Sequence, residues 1–97
     1  MTETIEHKRK KLRIRAWRRG FKEADLILGR FADQNLDSLS DEAVVEFEHL
    51  LDQTDADLYA WIIGREPTPA QFDGDVMQAL KRFRVDEDAE YGDGPRQ

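Results

Sequence analysis

Phe21, Ala24, Ile27, Leu28 and Phe31 recur at intervals of three and four, which places them on one face of a helix over residues 21–32 or a little beyond. The same period returns three times. Val44, Phe47, Leu50 and Leu51 form a clean stripe on a helix that starts after Ser40. Leu58, Trp61 and Ile62 form another after Thr54, and Val76, Met77, Leu80 and Phe83 a last one. Residues 4–18 carry a looser pattern, with Leu12 and Ala16 four apart and Ile14 and Trp17 off that line. No segment alternates with period two, and no hairpin signal joins strand-like runs. The pattern predicts an all-α fold, a small bundle of about five helices in one domain.

Local signals set the ends. Gly20 is expected to close the first helix in the left-handed conformation, and Gly64 to stop the fourth. Ser40 and Thr54 are natural N-caps, each followed by acids in the first turn. Glu23 and Asp25 play the same part for the second helix. The fifth helix starts after Thr68 with Pro69, or after Asp73. Gly29 costs a helix interior about 1 kcal/mol relative to alanine, so it is expected to permit a close approach. Glu46 and Glu48 are expected to face away from the core. The helical domain is placed at residues 1–85, with 86–97 a flexible acidic tail.

Charge changes the picture by its distribution. The chain has 97 residues and a net charge of -6. Residues 1–22 hold nine Lys/Arg against Glu3 and Glu6, a balance of +7, and residues 23–97 hold six against nineteen acids, a balance of -13. A basic run invites nucleic acid. The acidic remainder would be repelled by a polyanion, and no zinc pattern or recognition helix accompanies the run, so Lys8 to Lys11 read as a solvated face.

Chemistry finds little to work with. Cysteine is absent, which removes disulfides, thiol nucleophiles and thiolate metal sites. His7 and His49 lack the paired spacing of a metal site. Ser38 and Ser40 are better explained as caps than as nucleophiles, and the scattered glycines cradle no phosphate. No catalytic residue and no metal are expected. No apolar run is long enough for membrane insertion. With neither a secretory nor a transit pattern, the expected site of action is cytoplasmic. Trp17, Tyr59 and Trp61 are candidates for interface anchors, with Trp61 weighed toward the core.

The segment Arg19-Gly20-Phe21-Lys22-Glu23 remains. It sits where the basic run meets the first apolar stripe, and it resembles the Arg-Gly-x-x-Glu motif of the FAD assembly factors of succinate dehydrogenase. The likeness continues through Ala24-Asp25-Leu26-Ile27-Leu28-Gly29-Arg30-Phe31-Ala32, then Leu39-Ser40-Asp41-Glu42, Phe47-Glu48-His49-Leu50-Leu51 and Asp55-Ala56-Asp57-Leu58-Tyr59-Ala60-Trp61-Ile62. It spans roughly residues 9–84, and the short N-terminus looks like the bacterial branch. The resemblance implies a five-helix assembly factor, not an enzyme. It implies binding to the flavoprotein subunit of succinate dehydrogenase, or of fumarate reductase, and attachment of FAD to a histidine of that partner. Carried over by position, Arg19, Gly20 and Glu23 would contact the flavoprotein, with Arg18, Asp25 and Arg30 as neighbours. The chain itself is expected to hold no cofactor tightly, FAD being the partner's, and to be a monomer. The alternatives are an adaptor of another complex using the same corner, or a nucleic-acid binder.

Overall fold

Five helices form where the apolar stripes lie: α1 Ile5–Ala16, α2 Lys22–Asn35, α3 Asp41–Leu51, α4 Asp55–Ile62 and α5 Asp75–Tyr91. Short 3-10 turns at Leu36–Ser38 and Ala70–Phe72 fill the longer connections. The structure is a computed structural model and describes residues 3–91. Among them there is no strand, and no helix is long and apolar enough to cross a membrane.

Phe31 on α2 is the centre of the core. Its ring is tilted against Phe47 of α3 at 5.7 Å and stands edge-on to Phe83 of α5 at 5.6 Å. Leu28, Leu36, Val44, Leu50, Leu58, Met77 and Leu80 close around these rings and are fully buried. Each such side chain contributes about 1.5–3 kcal/mol relative to exposure. Trp61 is buried as well, stacked on Phe72 at 5.1 Å. The helical stripes therefore bury most of their predicted residues, while Phe21 and Ile27 at the α2 margin and Phe83 on α5 stay half-exposed.

Caps with short-range causes appear as expected. The Ser40 hydroxyl accepts from the Ala43 amide at 3.1 Å, and the Thr54 hydroxyl from the Asp57 amide at 3.2 Å. Gly64 takes a φ of 80°, the left-handed value that ends α4. Gly20 does not. No positive φ is found there, and α1 closes on Trp17 in the right-handed region. The fifth helix starts at Asp75, behind the 3-10 turn, and runs to Tyr91, past the boundary drawn at residue 85. Of the expected tail, residues 92–97 lie outside the described residues.

The acids of α3 do not face away. Glu46 accepts from the Val76 amide at 2.9 Å and so caps α5. A β-carbon on Gly74 would come within 2.6 Å of that carboxylate, so a side chain there would require the Glu46 carboxylate to shift. Glu48 takes Lys8 of α1 at 2.8 Å. The hydrogen bond to Glu48 holds the Lys8 ammonium above the usual lysine range.

This last contact belongs to a set. α1 buries only Leu12 and Ala16 fully, and is seated largely by its charges. Arg9 donates to the carbonyls of Leu36 at 3.2 Å and Leu39 at 2.7 Å. Arg13 meets Asp33 and Asp37, and Arg15 meets Asp52 at 2.8 Å. Lys11 pairs with Glu3 at 2.9 Å, and that hydrogen bond lowers the Glu3 pKa. The basic run is thus mostly neutralised inside the molecule, and is not the solvated face the sequence suggested.

Candidate partner-docking site

Between α1 and α2 the chain turns through Trp17-Arg18-Arg19-Gly20-Phe21. Two carboxylates at helix N-termini hold this corner. Asp25, in the first turn of α2, accepts from the Arg19 amide at 2.6 Å. Asp55, the first residue of α4, accepts from the Gly20 amide and lies 2.6 Å from the Arg19 Nε. Both acids sit where the helix dipole favours negative charge. Arg19 also donates to the Gln53 carbonyl at 3.0 Å, just before α4. Its side chain is only 8 % exposed, against 28 % for Asp55.

Gly20 is needed here for space, since a β-carbon would come within 2.6 Å of Asp55 Oδ2. That oxygen already serves the Gly20 amide, and its carboxylate is held by Arg19, so it has little freedom to retreat. One face of the glycine is closed by Asp55 and the other is open to solvent. Phe21 supports the turn from below, edge-on to Tyr59 of α4 at 5.1 Å. Behind it, the Trp17 indole lies across Gly29, where a β-carbon would fall 2.2 Å from Trp17 Cδ2. The indole N–H points to Asp33, 3.2 Å from either oxygen. Gly29 does permit a close approach, by a tryptophan ring.

The six residues singled out by sequence thus divide. Arg18, Gly20 and Glu23 are exposed, and Lys22 joins them. Arg19 and Asp25 turn inward and hold the corner in shape. Arg19, expected to contact the flavoprotein directly, has its guanidinium engaged within the chain by Asp55 and Gln53. Arg30 is half-buried on α2, two turns beyond Glu23 and on the same side. Asp55 is the residue that sequence reasoning missed. It was read as a first-turn acid, and its place at the head of the Asp-x-Asp-Leu-x-x-Trp segment was the signal that could have found it.

The arrangement offers a rigid surface with cations and an acid a few residues apart. Among the described residues no cluster of His, Cys, Asp or Glu could hold a metal ion.

Residues 10–84 match the Sdh5 family, described as flavinator of succinate dehydrogenase. A protein of Meyerozyma guilliermondii named succinate dehydrogenase assembly factor 2, mitochondrial, is 38% identical over 92 residues, covering 91% of this chain and 68% of its own length. Proteins with the same name from Danio rerio and Dictyostelium discoideum are 33% and 35% identical, covering 91% and 79% of this chain. The chain spans only 57% and 55% of their length. All three are named as mitochondrial, which overturns the cytoplasmic expectation. The bacterial branch is not borne out either. With the match running through the corner and the bundle from residue 10 to residue 84, the chain belongs to the family of flavinators of succinate dehydrogenase.

Proposed function

We propose that the chain docks through the α1–α2 corner onto the flavoprotein subunit of succinate dehydrogenase and promotes covalent attachment of FAD to a histidine of that subunit. Fumarate reductase would be served in the same way. The observation that carries this reading is the open face of Gly20, flanked by Arg18 and Glu23 and fixed from behind by Asp55. A partner backbone can approach a glycine closely, and the flanking charges set its orientation. The fixed corner also lowers the ordering cost of docking.

The chain acts as a helper and not as a catalyst. Joining the flavin to a histidine requires that side chain to be held against the reactive carbon of the ring. A bound helper speeds the step by favouring the partner conformation in which those atoms are aligned. The gain is limited to its preference for that conformation over others. FAD stays with the partner, and one copy of this chain suffices. The nucleic-acid reading is disfavoured because Lys8, Arg9, Arg13 and Arg15 are already engaged by carboxylates and carbonyls.

The test pairs two variants with pull-down of the flavoprotein subunit. Gly20→Arg blocks the open face, but its own β-carbon also presses on Asp55, so circular dichroism has to accompany it. Glu23→Ala removes an exposed side chain for which no internal contact is found among the described residues. Both are expected to lose the partner, and deletion of the gene to abolish in-gel flavin fluorescence of the subunit. A folded Glu23→Ala protein that binds normally overturns the reading.

A further inference from the structure

The side of α1 opposite the core is organised around Ile14. Ile14 lies half a turn from the buried Leu12–Ala16 line and is 55 % exposed. A single exposed isoleucine is ordinary. Its neighbours are not. Lys10 precedes it by four positions and so shares its side of the helix, and Arg18 lies just past the Trp17 cap, where the helix gives way to the corner. Elsewhere on this helix Lys8, Arg9, Lys11, Arg13 and Arg15 each hold a carboxylate or a carbonyl. Lys10 and Arg18 hold none among the described residues. Beside Lys10 an open cleft of about 410 Å³ lies between α1 and Asp37. The stripe runs straight into the corner, where Arg18 adjoins Gly20.

We infer that the Lys10–Ile14–Arg18 stripe extends the docking surface along α1 and receives an acidic segment of the same partner protein, with an apolar contact for Ile14. The inference rests on the docking reading of the corner. Charge complementarity fixes the sign, since Lys10 on α1 and Arg18 just beyond its end are exposed cations beside a helix whose other cations hold carboxylates or carbonyls. Extent fixes the class. The stripe is about two helical turns long, and the rest of the chain is acidic. A short acidic segment can meet the stripe without approaching that remainder, whereas an extended polyanion or an anionic membrane would be repelled by it. The acidic segment increases the association rate and Ile14 slows release.

The test uses the full chain with Lys10→Glu and Ile14→Ser together, leaving Arg18 and the corner intact. Thermal unfolding and helicity are expected to stay as in wild type, because neither side chain is packed. Affinity for the purified flavoprotein subunit is expected to fall at least about tenfold, with a shallower salt dependence. Arg65→Glu is the matched control, placing the same single charge reversal at an exposed position outside the stripe, and is expected to bind as wild type. If the Lys10/Ile14 variant binds as wild type while Glu23→Ala does not, the stripe is overturned and the corner stands. If Glu23→Ala also binds normally, both fail. Sedimentation with phosphatidylcholine–phosphatidylglycerol vesicles is expected to leave the wild-type chain in solution. Co-sedimentation that the double variant loses would overturn the protein occupant in favour of a lipid surface.

Discussion

Arg19 and Asp55 meet at 2.6 Å across the α1–α2 corner, and the same carboxylate accepts the Gly20 amide. A motif residue with the chemistry of a surface contact is therefore a brace. Removing Asp55 leaves a nearly buried guanidinium with only the Gln53 carbonyl. Asp55→Ala is expected to cost about 2–3 kcal/mol in urea unfolding, below the usual range for a broken buried pair because Asp55 is partly exposed. Arg19→Ala with Asp55→Ala should cost less than the sum of the two single changes. Additive losses in that cycle would contradict the brace.

Trp17 reports on the same corner from behind. Its ring occupies the volume a β-carbon at Gly29 would need. Gly29→Ala gains about 1 kcal/mol of helix propensity, but displacing the indole costs about 1–3 kcal/mol. A net loss of stability is expected, together with a shift in tryptophan emission as the ring moves toward solvent. An unchanged emission spectrum with higher stability would show that the indole does not rest there.

The cap on α5 can be read amide by amide. Glu46→Ala removes the acceptor of the Val76 amide and should cost about 1 kcal/mol, as loss of a helix cap does. Hydrogen exchange should quicken at Val76 and leave the α3 amides unchanged. Glu46→Gln keeps one acceptor oxygen and should fall between.

Two groups bracket the pH profile. The Lys8 pKa is raised in the folded chain by its hydrogen bond to Glu48. That contribution is fully present below the ordinary lysine pKa of about 10.4 and is lost as pH rises through the higher folded value. The Glu3 pKa is lowered by Lys11, so its contribution is present above the ordinary carboxylate range and is lost as pH falls through the folded value. Lys8→Met should flatten the alkaline limb of a stability curve more than the acid limb, which it touches only through its weaker attraction to Glu3. Glu3→Gln should do the reverse.

How far the sequence carried this picture depends on the range of each interaction. Ser40 and Thr54 cap helices through residues three positions on, and local order alone reveals them. The stripes around Phe31, Phe47 and Leu80 follow from period, which is also local. Gly20 was misread because a glycine chosen for positive φ and one chosen for lacking a β-carbon look the same in sequence. Its real constraint comes from Asp55, 35 residues away. Glu46 and Glu48 were misread for a related reason. A helical wheel gives the angle of a side chain and says nothing of the α5 terminus or the Lys8 ammonium across from it. In the motif, the place of the corner between two helices was legible, but which of its side chains are exposed and which turn inward was not.

Arg9 binds two carbonyls in the connection after α2 and no side chain there. Every residue type presents a carbonyl, so this grip does not depend on what occupies positions 36 and 39. Leu36 is tied to the core by its own burial, but the arginine's hold would survive a change of side chain at either position. The hand cannot be exchanged so freely: a lysine offers one point charge and no planar fork to span both oxygens.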